Sequence, residues 1–390
     1  MEMLPLKDTL DFIQDIFESN EFIGLHEPAF MGNESSYVNE AINSTYVSSV
    51  GKFVDKFERD IEDYTKSSKA ISCVNGTAAL HAALYTAGVS SGDIVITQSL
   101  TFVATCNAIS HMGAEPAFVD VSIDSLSLCP RALSLFLSEN AYKKENRAFL
   151  KENNKRISAV VPMHTFGHPA DMDELSLVCK KWHLDLIEDA AESLGSFYKG
   201  VHTGTIGRFG ALSFNGNKII TTGGGGMVLC STLKDGLRVK HLTTTAKSPH
   251  PYEFFHNELG FNYRMPNLNA ALGVAQFESL SKYLVSKRSL AIKYKEFFSG
   301  SEYKFVDEPV YAQSNFWLNA IICPSRSARD EFLKISNDKG VMTRPIWRLM
   351  SNLPMFSNCI SGDLSVSECL ESRVVNLPSS PYKKNGVLIE

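Results

Sequence analysis

The chain has 390 residues, 44% of them hydrophobic and 21% charged, as in an ordinary soluble globular protein with a large core and two domains. Its formal net charge of −5 argues against nucleic-acid binding, which needs a concentrated basic face. No run reaches the roughly 18 apolar residues of a membrane span, and the acidic, amphipathic N-terminus is unlike a signal peptide. The eight scattered cysteines form no CxxC pair, which predicts reduced thiols and a cytoplasmic protein with no membrane partner.

The predicted elements begin with two short amphipathic helices, over 34–43 and 54–65. From residue 69, strand-like runs alternate with helical patterns. KAISCV is followed by the helix GTAALHAALYTAG, and the later strand-like runs are DIVITQ, EPAFVDV, ISAVVPMH and LDLIEDA. This alternation predicts an α/β domain with a mostly parallel sheet flanked by helices. Because such sheets bind ligands at the carboxyl ends of their strands, we expect the site in the loops that follow them.

The rest of the chain completes a two-domain organisation. The stretch AYKKENRAFLKENNKR at 141–156 is charged and lacks an apolar face, which favours a solvated surface insertion. One long helical pattern at 267–299 would connect two domains, because strand-like and helix-like runs resume after it. The predicted division is a large α/β domain at 1–265 with a helical N-terminal segment at 1–68, a connecting helix at 266–299, and a smaller α+β domain at 300–390.

The glycine-rich stretch ALSFNGNKIITTGGGGM at 211–227 raises the possibility of nucleotide binding. The run GGGG at 223–226 lacks the GxGxxG register and follows a loop instead of a strand. A P-loop needs Gly-Lys followed by Ser or Thr, whereas here Asn217 precedes Lys218 and Ile219 follows it. Both fingerprints fail, so a nicotinamide-dependent oxidoreductase is disfavoured.

Metal binding is a second possibility, raised by two histidines four residues apart, His164 and His168. The neighbouring Gly167 and Pro169 disfavour a helical two-histidine face, so loop histidines are the preferred interpretation and no metal is expected. His164 directly follows the strand VVPM, however, and is therefore a candidate for contact with the substrate.

Asp189 and Lys218 are the pair of residues that most strongly indicates a catalytic function. Asp189 ends the apolar strand LDLIEDA, and Lys218 follows the strand-like RFGALSF, so both would lie at carboxyl ends of sheet strands. Pyridoxal phosphate needs a lysine for the Schiff base and an acid beside its pyridine nitrogen. The helix N-terminus at 76–78 (Gly76, Thr77 and Ala78), together with Ser213, would bind its phosphate. The alternative is a surface Asn-Gly turn with an ordinary lysine and a core salt bridge.

At these residues the chain resembles the DegT/DnrJ/EryC1/StrS family of sugar-nucleotide aminotransferases, which are fold-type I pyridoxal phosphate enzymes. The motifs that carry the resemblance are VNGTAALHAAL, QSLTFVATCNAI, AEPAFVDV, EDAAESLGSFYKG, SFNGNKIITTGGGGM and GFNYRMPNLNAALG. The resemblance implies that Lys218 forms the Schiff base and that Asp189 pairs with the pyridine nitrogen. It also implies that Phe102 stacks on the cofactor ring and that Glu192 lies near its phenolic oxygen.

The resemblance further implies phosphate contacts from Gly76, Thr77 and Ser213, and a contact of Asn262 with the cofactor phosphate of the neighbouring subunit. The enzyme would then be a homodimer with shared active sites. Some relatives are dehydratases with histidine in place of the lysine, and the presence of Lys218 disfavours that activity.

Several local motifs are similar to the LegC-type group within the family, among them SSVGKFVDKFE, TRPIWRLMSNLPMF and the stretch around Lys218. That group implies a UDP-linked 2-acetamido-2,6-dideoxy-4-keto-hexose as acceptor and L-glutamate as amino donor, in the synthesis of nonulosonic acid or bacillosamine. Arg344 and Trp347 would help to form the sugar-nucleotide pocket, and the four glycines would approach cofactor or sugar. The open alternatives are another keto-sugar nucleotide and a non-catalytic, cofactor-bound regulator.

Overall fold

A computed structural model describes residues 6–384 and 387–388. Its helices are α1 Leu6–Phe17, α2 Glu34–Asn43, α3 Lys52–Thr65, α4 Gly76–Ala87, α5 Val103–His111, α6 Pro130–Asn140, α7 Met172–Trp182, α8 Leu233–Thr243, α9 Asn267–Glu278, α10 Leu280–Phe297, α11 Arg326–Asp338 and α12 Ser365–Glu371. Its strands are β1 Lys69–Cys73, β2 Ile94–Gln98, β3 Glu115–Val119, β4 Ala141–Lys144, β5 Arg147–Leu150, β6 Arg156–Val161, β7 Asp185–Asp189, β8 Phe197–Tyr198, β9 Val201–His202, β10 Phe209–Ser213, β11 Gly226–Cys230, β12 Lys247–Ser248, β13 Phe255–His256, β14 Lys304–Phe305, β15 Ala312–Gln313, β16 Asn319–Ile322, β17 Arg344–Pro345, β18 Val374–Leu377, β19 Lys383–Lys384 and β20 Val387–Leu388.

The largest sheet of the described chain has the strand order β1-β11-β10-β7-β6-β2-β3, with the β4–β5 hairpin attached to β6. The central strands β10, β7, β6, β2 and β3 run parallel, whereas β1 and β10 both pair with β11 in antiparallel fashion. Strands β2 and β11 are buried along their whole length, as expected for a sheet covered on both faces. The predicted α/β fold with a mostly parallel, mixed sheet is confirmed.

The stretch 141–156 differs from the predicted solvated insertion, because β4 and β5 form a hairpin that extends the large sheet through β6. Glu145 and Asn146 form its two-residue turn, with φ of 49° and 59°, a left-handed geometry that suits tight hairpins. Ala148 and Leu150 are buried, while most of the charged side chains point outward. The apolar face consists of alternate strand residues, which a search for a helical face overlooks.

The connecting segment is two helices instead of the predicted single helix, because the chain bends at Ser279, where φ is −102° and ψ is 0°. Before the bend, α9 packs on α2 and α3 beside the large sheet. After the bend, Leu290 and Tyr294 of α10 pack in the core of the C-terminal region. The break therefore allows each helix to bury its apolar residues in a different core.

The C-terminal region is built on an antiparallel sheet of order β14-β16-β18-β17, covered by α10 and α11. Helix α1 packs in this same core through Leu10, Ile13 and Ile16, although the sequence division places residues 1–68 with the large domain. The predicted domain boundaries stay a prediction. None of the helices within residues 6–384 and 387–388 has the length and apolar character needed to cross a bilayer.

Candidate active site

A cavity of about 710 Å³ lies where the large sheet meets the C-terminal region. Strands β7 and β10 are parallel neighbours, with Asp189 paired to Ala211, so their carboxyl ends open at the same edge. The C-terminal region closes the opposite side of the cavity. Nine of the predicted site residues line it: Gly76, Thr77, Phe102, Asp189, Glu192, Ser213, Lys218, Arg344 and Trp347.

Lys218 lies in the turn that follows β10, where its amide donates a hydrogen bond to the Asn215 carbonyl at 3.0 Å. Its side chain is 12% exposed and reaches into the cavity. The ammonium Nζ lies 3.4 Å from Glu192 Oε1 and 3.9 Å from the centre of the Trp317 ring. A long cationic side chain is thus held between a carboxylate and an aromatic face.

Asp189 is the last residue of β7 and is 5% exposed. The Thr105 hydroxyl donates to its Oδ2 at 2.7 Å, and the Ala191 amide donates to its Oδ1 at 3.2 Å. Burial raises the pKa of Asp189, and these two donors together with the Lys218 charge oppose that rise. A buried carboxylate that faces a cavity favours a cationic partner, so the protonated pyridine nitrogen of pyridoxal phosphate fits this position.

Glu192 is the second buried carboxylate of the cavity and is 3% exposed. Burial raises its pKa to about 7, even though Lys218 and the Phe166 amide, which donates to Oε2 at 2.9 Å, favour the charged form. Its protonation state therefore changes near neutral pH beside the ammonium of Lys218.

The N-terminus of α4 forms one wall of the cavity and fits an anion. The first amides of a helix have no intrahelical acceptor, so those of Gly76 and Thr77 are available to a phosphate. A Cβ on Gly76 would lie 2.9 Å from the Ser213 Cβ, so only glycine allows the helix to approach the hydroxyl of Ser213 this closely. The amide of Ala78, also predicted to bind the phosphate, instead donates to the Asn75 side chain at 2.8 Å. That amide is used by the helix cap in this structure, and the contact of Ala78 with the phosphate stays a prediction.

His164 and the four glycines at 223–226, which were predicted to contact substrate or cofactor, do not line the cavity. His164 is fully buried, with Nε2 3.0 Å from Glu188 Oε2 and with Nδ1 accepting from the Ala170 amide at 3.1 Å. Both of its ring nitrogens have protein partners, so His164 supports the fold and does not line the substrate cavity. Of the four glycines, Gly226 packs against the carbonyl of Asn75, and none lines the cavity of its own chain.

Asn262 is exposed and lies outside the cavity of its own chain, where its predicted role toward a neighbouring subunit is untested. The sequence interpretation missed Trp317, whose indole forms the floor beneath Lys218, and Thr105, which holds Asp189. It also missed Asn75 as a helix cap, although Asn directly before a helical pattern is a recognised start signal.

Residues 29–386 match the profile of the DegT/DnrJ/EryC1/StrS aminotransferase family. The chain belongs to this family. It is 35% identical over 371 residues to the GDP-perosamine synthase of Escherichia coli O157:H7, a match that covers 95% of this chain and 96% of that protein. The GDP-perosamine synthase of Caulobacter vibrioides is 34% identical over 362 residues, covering 92% and 93%. The solved structure of the aminotransferase TlmJ from Streptoalloteichus hindustanus has the same fold, with a TM-score of 0.82, 24% identity and coverage of 92% and 93%.

Family membership confirms the predicted cofactor and class of reaction. The enzyme is a pyridoxal-phosphate-dependent sugar-nucleotide aminotransferase. The cavity provides what this cofactor needs, namely an amine, a buried carboxylate and a helix N-terminus with free amides. The roles of the individual residues toward the cofactor stay predictions.

Proposed function

We propose that the enzyme transfers an amino group from L-glutamate to C4 of a nucleotide-linked 4-keto-6-deoxy sugar. The observation that carries this proposal is the position of Lys218, whose ammonium reaches the cavity between Glu192 and Trp317, with Asp189 on the neighbouring strand. A lysine in this arrangement has the reach to move a proton at a substrate carbon, and the cavity leaves room for a sugar above it.

When bound, pyridoxal phosphate supplies the aldehyde that carries the amino group and the ring that stabilises negative charge at the reacting carbon. Gly76, Thr77 and Ser213 would bind the phosphate, and Phe102 would cover the ring. Asp189, in its charged form, would hold the proton on the pyridine nitrogen.

The ε-amine of Lys218 would hold the cofactor by its aldehyde. Once free, Nζ would remove the proton from the glutamate Cα and hold it as the ammonium. In the second half of the reaction, Nζ would move a proton in the opposite direction onto C4 of the sugar. Glu192, beside Nζ and with a pKa of about 7, would adjust its charge as Nζ gains and loses its proton.

The acceptor is proposed to be a UDP-linked 2-acetamido-4-keto-6-deoxyhexose, for a surface glycan of the nonulosonic acid or bacillosamine type, on the basis of the LegC-type motifs. A GDP-linked 4-keto-6-deoxy sugar is the second candidate, favoured by the two GDP-perosamine synthases that match over almost the whole chain. Arg344 and Trp347, at the C-terminal side of the cavity, would contact the sugar nucleotide in either case.

We further propose a homodimer with shared active sites, located in the cytoplasm. Tyr252 is 82% exposed, Phe254 79% and Leu259 83%, and these large apolar side chains lie close in sequence to the exposed Asn262. A second copy of the chain would cover them and bring Asn262 to the neighbouring cofactor. The eight cysteines are free, which suits a reducing compartment.

The test is an absorption spectrum of the purified protein with pyridoxal phosphate, before and after L-glutamate, followed by a panel of UDP- and GDP-linked 4-keto sugars. We expect a visible band that glutamate removes, and a 4-amino sugar from one member of the panel. Lys218→Ala should show neither change. A band that glutamate leaves unaltered would contradict the proposed donor, and a turnover near the wild-type rate in Lys218→Ala would contradict the role of the lysine.

A further inference from the structure

Trp317 packs its aromatic ring against Lys218, and none of the predicted site roles involves this tryptophan. The residue precedes β16, 99 positions after Lys218, and it is 4% exposed. Lys218 Nζ lies 3.9 Å from the centre of its ring, the shortest of the cation–aromatic contacts in the described chain. An ammonium over an indole face is stabilised by the ring quadrupole, and more strongly where water is excluded.

The indole is fixed in place by contacts at its ring and along its backbone. Its Nε1 donates to the Asn217 carbonyl at 2.6 Å, which ties it to the same turn that carries Lys218. Its backbone amide donates to Asn315 Oδ1 at 2.8 Å, and its carbonyl accepts from Lys287 Nζ at 3.0 Å. Lys287 is fully buried, and burial lowers its pKa well below the usual value, so this helix residue is maintained at a considerable energetic cost. A side chain held this firmly is suited to positioning its neighbour.

The other groups around the lysine do not substitute for the indole. Glu192 and Asp189 are anionic partners on the large domain, where burial raises the pKa of each. His26 lies 6.4 Å from the Trp317 ring, and burial lowers its pKa well below the usual value, so it adds no charge. Among the described residues, Trp317 is therefore the aromatic partner that the C-terminal side of the cavity provides to Nζ.

We propose that Trp317 is a positioning residue for Lys218. Its indole face holds Nζ in place, and it stabilises the ε-ammonium that forms when Nζ accepts the proton in each half of the reaction. This inference rests on the proposed role of Lys218, and it adds a requirement for an aromatic face supplied by the C-terminal region.

The test compares Trp317→Leu, which removes the aromatic face, with Trp317→Phe, which keeps a face but loses the bond to Asn217. Trp182→Leu is the matched control, because Trp182 is also largely buried and lies under a lysine, Lys143, on the large domain away from the cavity. In cofactor-free protein at fixed pH, an acylating reagent modifies only the neutral amine, and mass spectrometry gives the rate at the Lys218 peptide. We expect about 10-fold faster labelling of Lys218 in Trp317→Leu, equivalent to about 1.4 kcal/mol. Trp317→Phe and Trp182→Leu should stay within about 3-fold of wild type.

The half-reaction with L-glutamate gives an independent readout. In Trp317→Leu the limiting rate should fall about 10-fold with an unchanged KM for glutamate, and deuterium at Cα should slow it further, because proton transfer is the step affected. Trp317→Phe should recover most of the rate. Equal labelling in wild type and Trp317→Leu would overturn the proposal, as would faster labelling in all three variants, which would indicate a loosened fold.

A measurement on the unmutated chain covers the case in which Trp317→Leu does not fold. With lysine labelled by ¹³C at the ε position, the ring current of the indole should move the ε-methylene signal of Lys218 upfield. The signal is assigned by its loss in Lys218→Arg. A signal at the ordinary position would overturn the proposal. Neither this result nor the labelling rate depends on the identity of the sugar acceptor, so a failure of the proposed substrate leaves both readouts unaffected.

Discussion

Glu192 should make the cofactor-free enzyme less stable as pH rises, and replacing it with glutamine should remove this dependence. The residue is 3% exposed, and burial raises the pKa of its carboxyl group from 4.5 to about 7. In the unfolded chain the group loses its proton near its ordinary pKa, whereas the folded protein retains it to higher pH. Between these two values the folded state binds more protons, so the stability contributed by this group is lost as pH rises and is lowest above pH 7.

The size of the effect follows from the two pKa values. One pKa unit corresponds to about 1.4 kcal/mol. The unfolding free energy of Glu192→Gln, measured relative to that of wild type, should therefore be up to about 3 kcal/mol higher at pH 7.5 than at pH 4.5. The substitution also removes the partner of Lys218, but the attraction between the two groups is already contained in the folded-state pKa of Glu192 and needs no separate correction. The comparison between the two pH values therefore isolates the carboxyl group.

The assay is urea unfolding of both proteins, without cofactor, at several pH values from 4.5 to 7.5. Histidines and surface carboxylates titrate in both proteins and cancel in the difference between them. A difference in unfolding free energy that stays constant across the series would refute the reasoning, because it would mean that the folded and unfolded chains bind the Glu192 proton equally, with a pKa near its ordinary value in both. A difference that grows toward low pH would show that its pKa is lowered by Lys218 instead of raised by burial.

Three further substitutions, one of them with a control, test the cavity and the residues that support it. Asp189→Asn should slow the half-reaction with L-glutamate roughly 100-fold in single-turnover experiments, since an amide does not hold a proton on the pyridine nitrogen; near-normal rates would assign that role elsewhere. Gly226→Ala should weaken pyridoxal phosphate binding at least 10-fold by titration, because a Cβ there overlaps the Asn75 carbonyl and displaces the α4 N-terminus, whereas Gly224→Ala, with no atom within 4 Å, should bind normally. Asn75→Ala should lower the urea unfolding free energy by about 1 kcal/mol through loss of the helix cap on Ala78, and an unchanged value would show that the cap contributes nothing.

The sequence was sufficient to predict that Asp189 and Lys218 line the same cavity, because the topology of a parallel sheet largely determines where both residues lie. Each residue ends or closely follows an apolar strand, and neighbouring parallel strands end at one edge. The same reasoning failed for His164, which also follows a strand. There the backbone, with φ −85° and ψ 84°, turns the ring toward Glu188, and no local residue pattern reports that direction.

Other features depend on packing between distant segments. Trp317 meets Lys218 only because the C-terminal region closes over the sheet, and a strand-like run such as NFWLNAIICP gives no indication of its partner. The bend at Ser279 likewise lacks the glycine or proline that usually marks a helix end, so the sequence pattern continues through it. The β4–β5 turn uses Glu145 and Asn146 where a hairpin signal would be Asn-Gly, which concealed the hairpin within a charged stretch.

The two buried carboxylates of the cavity have different surroundings, which suit the different tasks proposed for them. Asp189 receives hydrogen bonds from Thr105 and from the amide of Ala191, two donors that favour its charged form against the effect of burial. Glu192 has the Phe166 amide and the movable ammonium of Lys218, and its pKa of about 7 leaves its charge dependent on where that ammonium is. A permanent cationic ring nitrogen suits the first environment, and a lysine that alternates between charged and neutral forms suits the second. In the proposed mechanism, this arrangement separates the group that holds the cofactor's charge from the group that follows the lysine's proton.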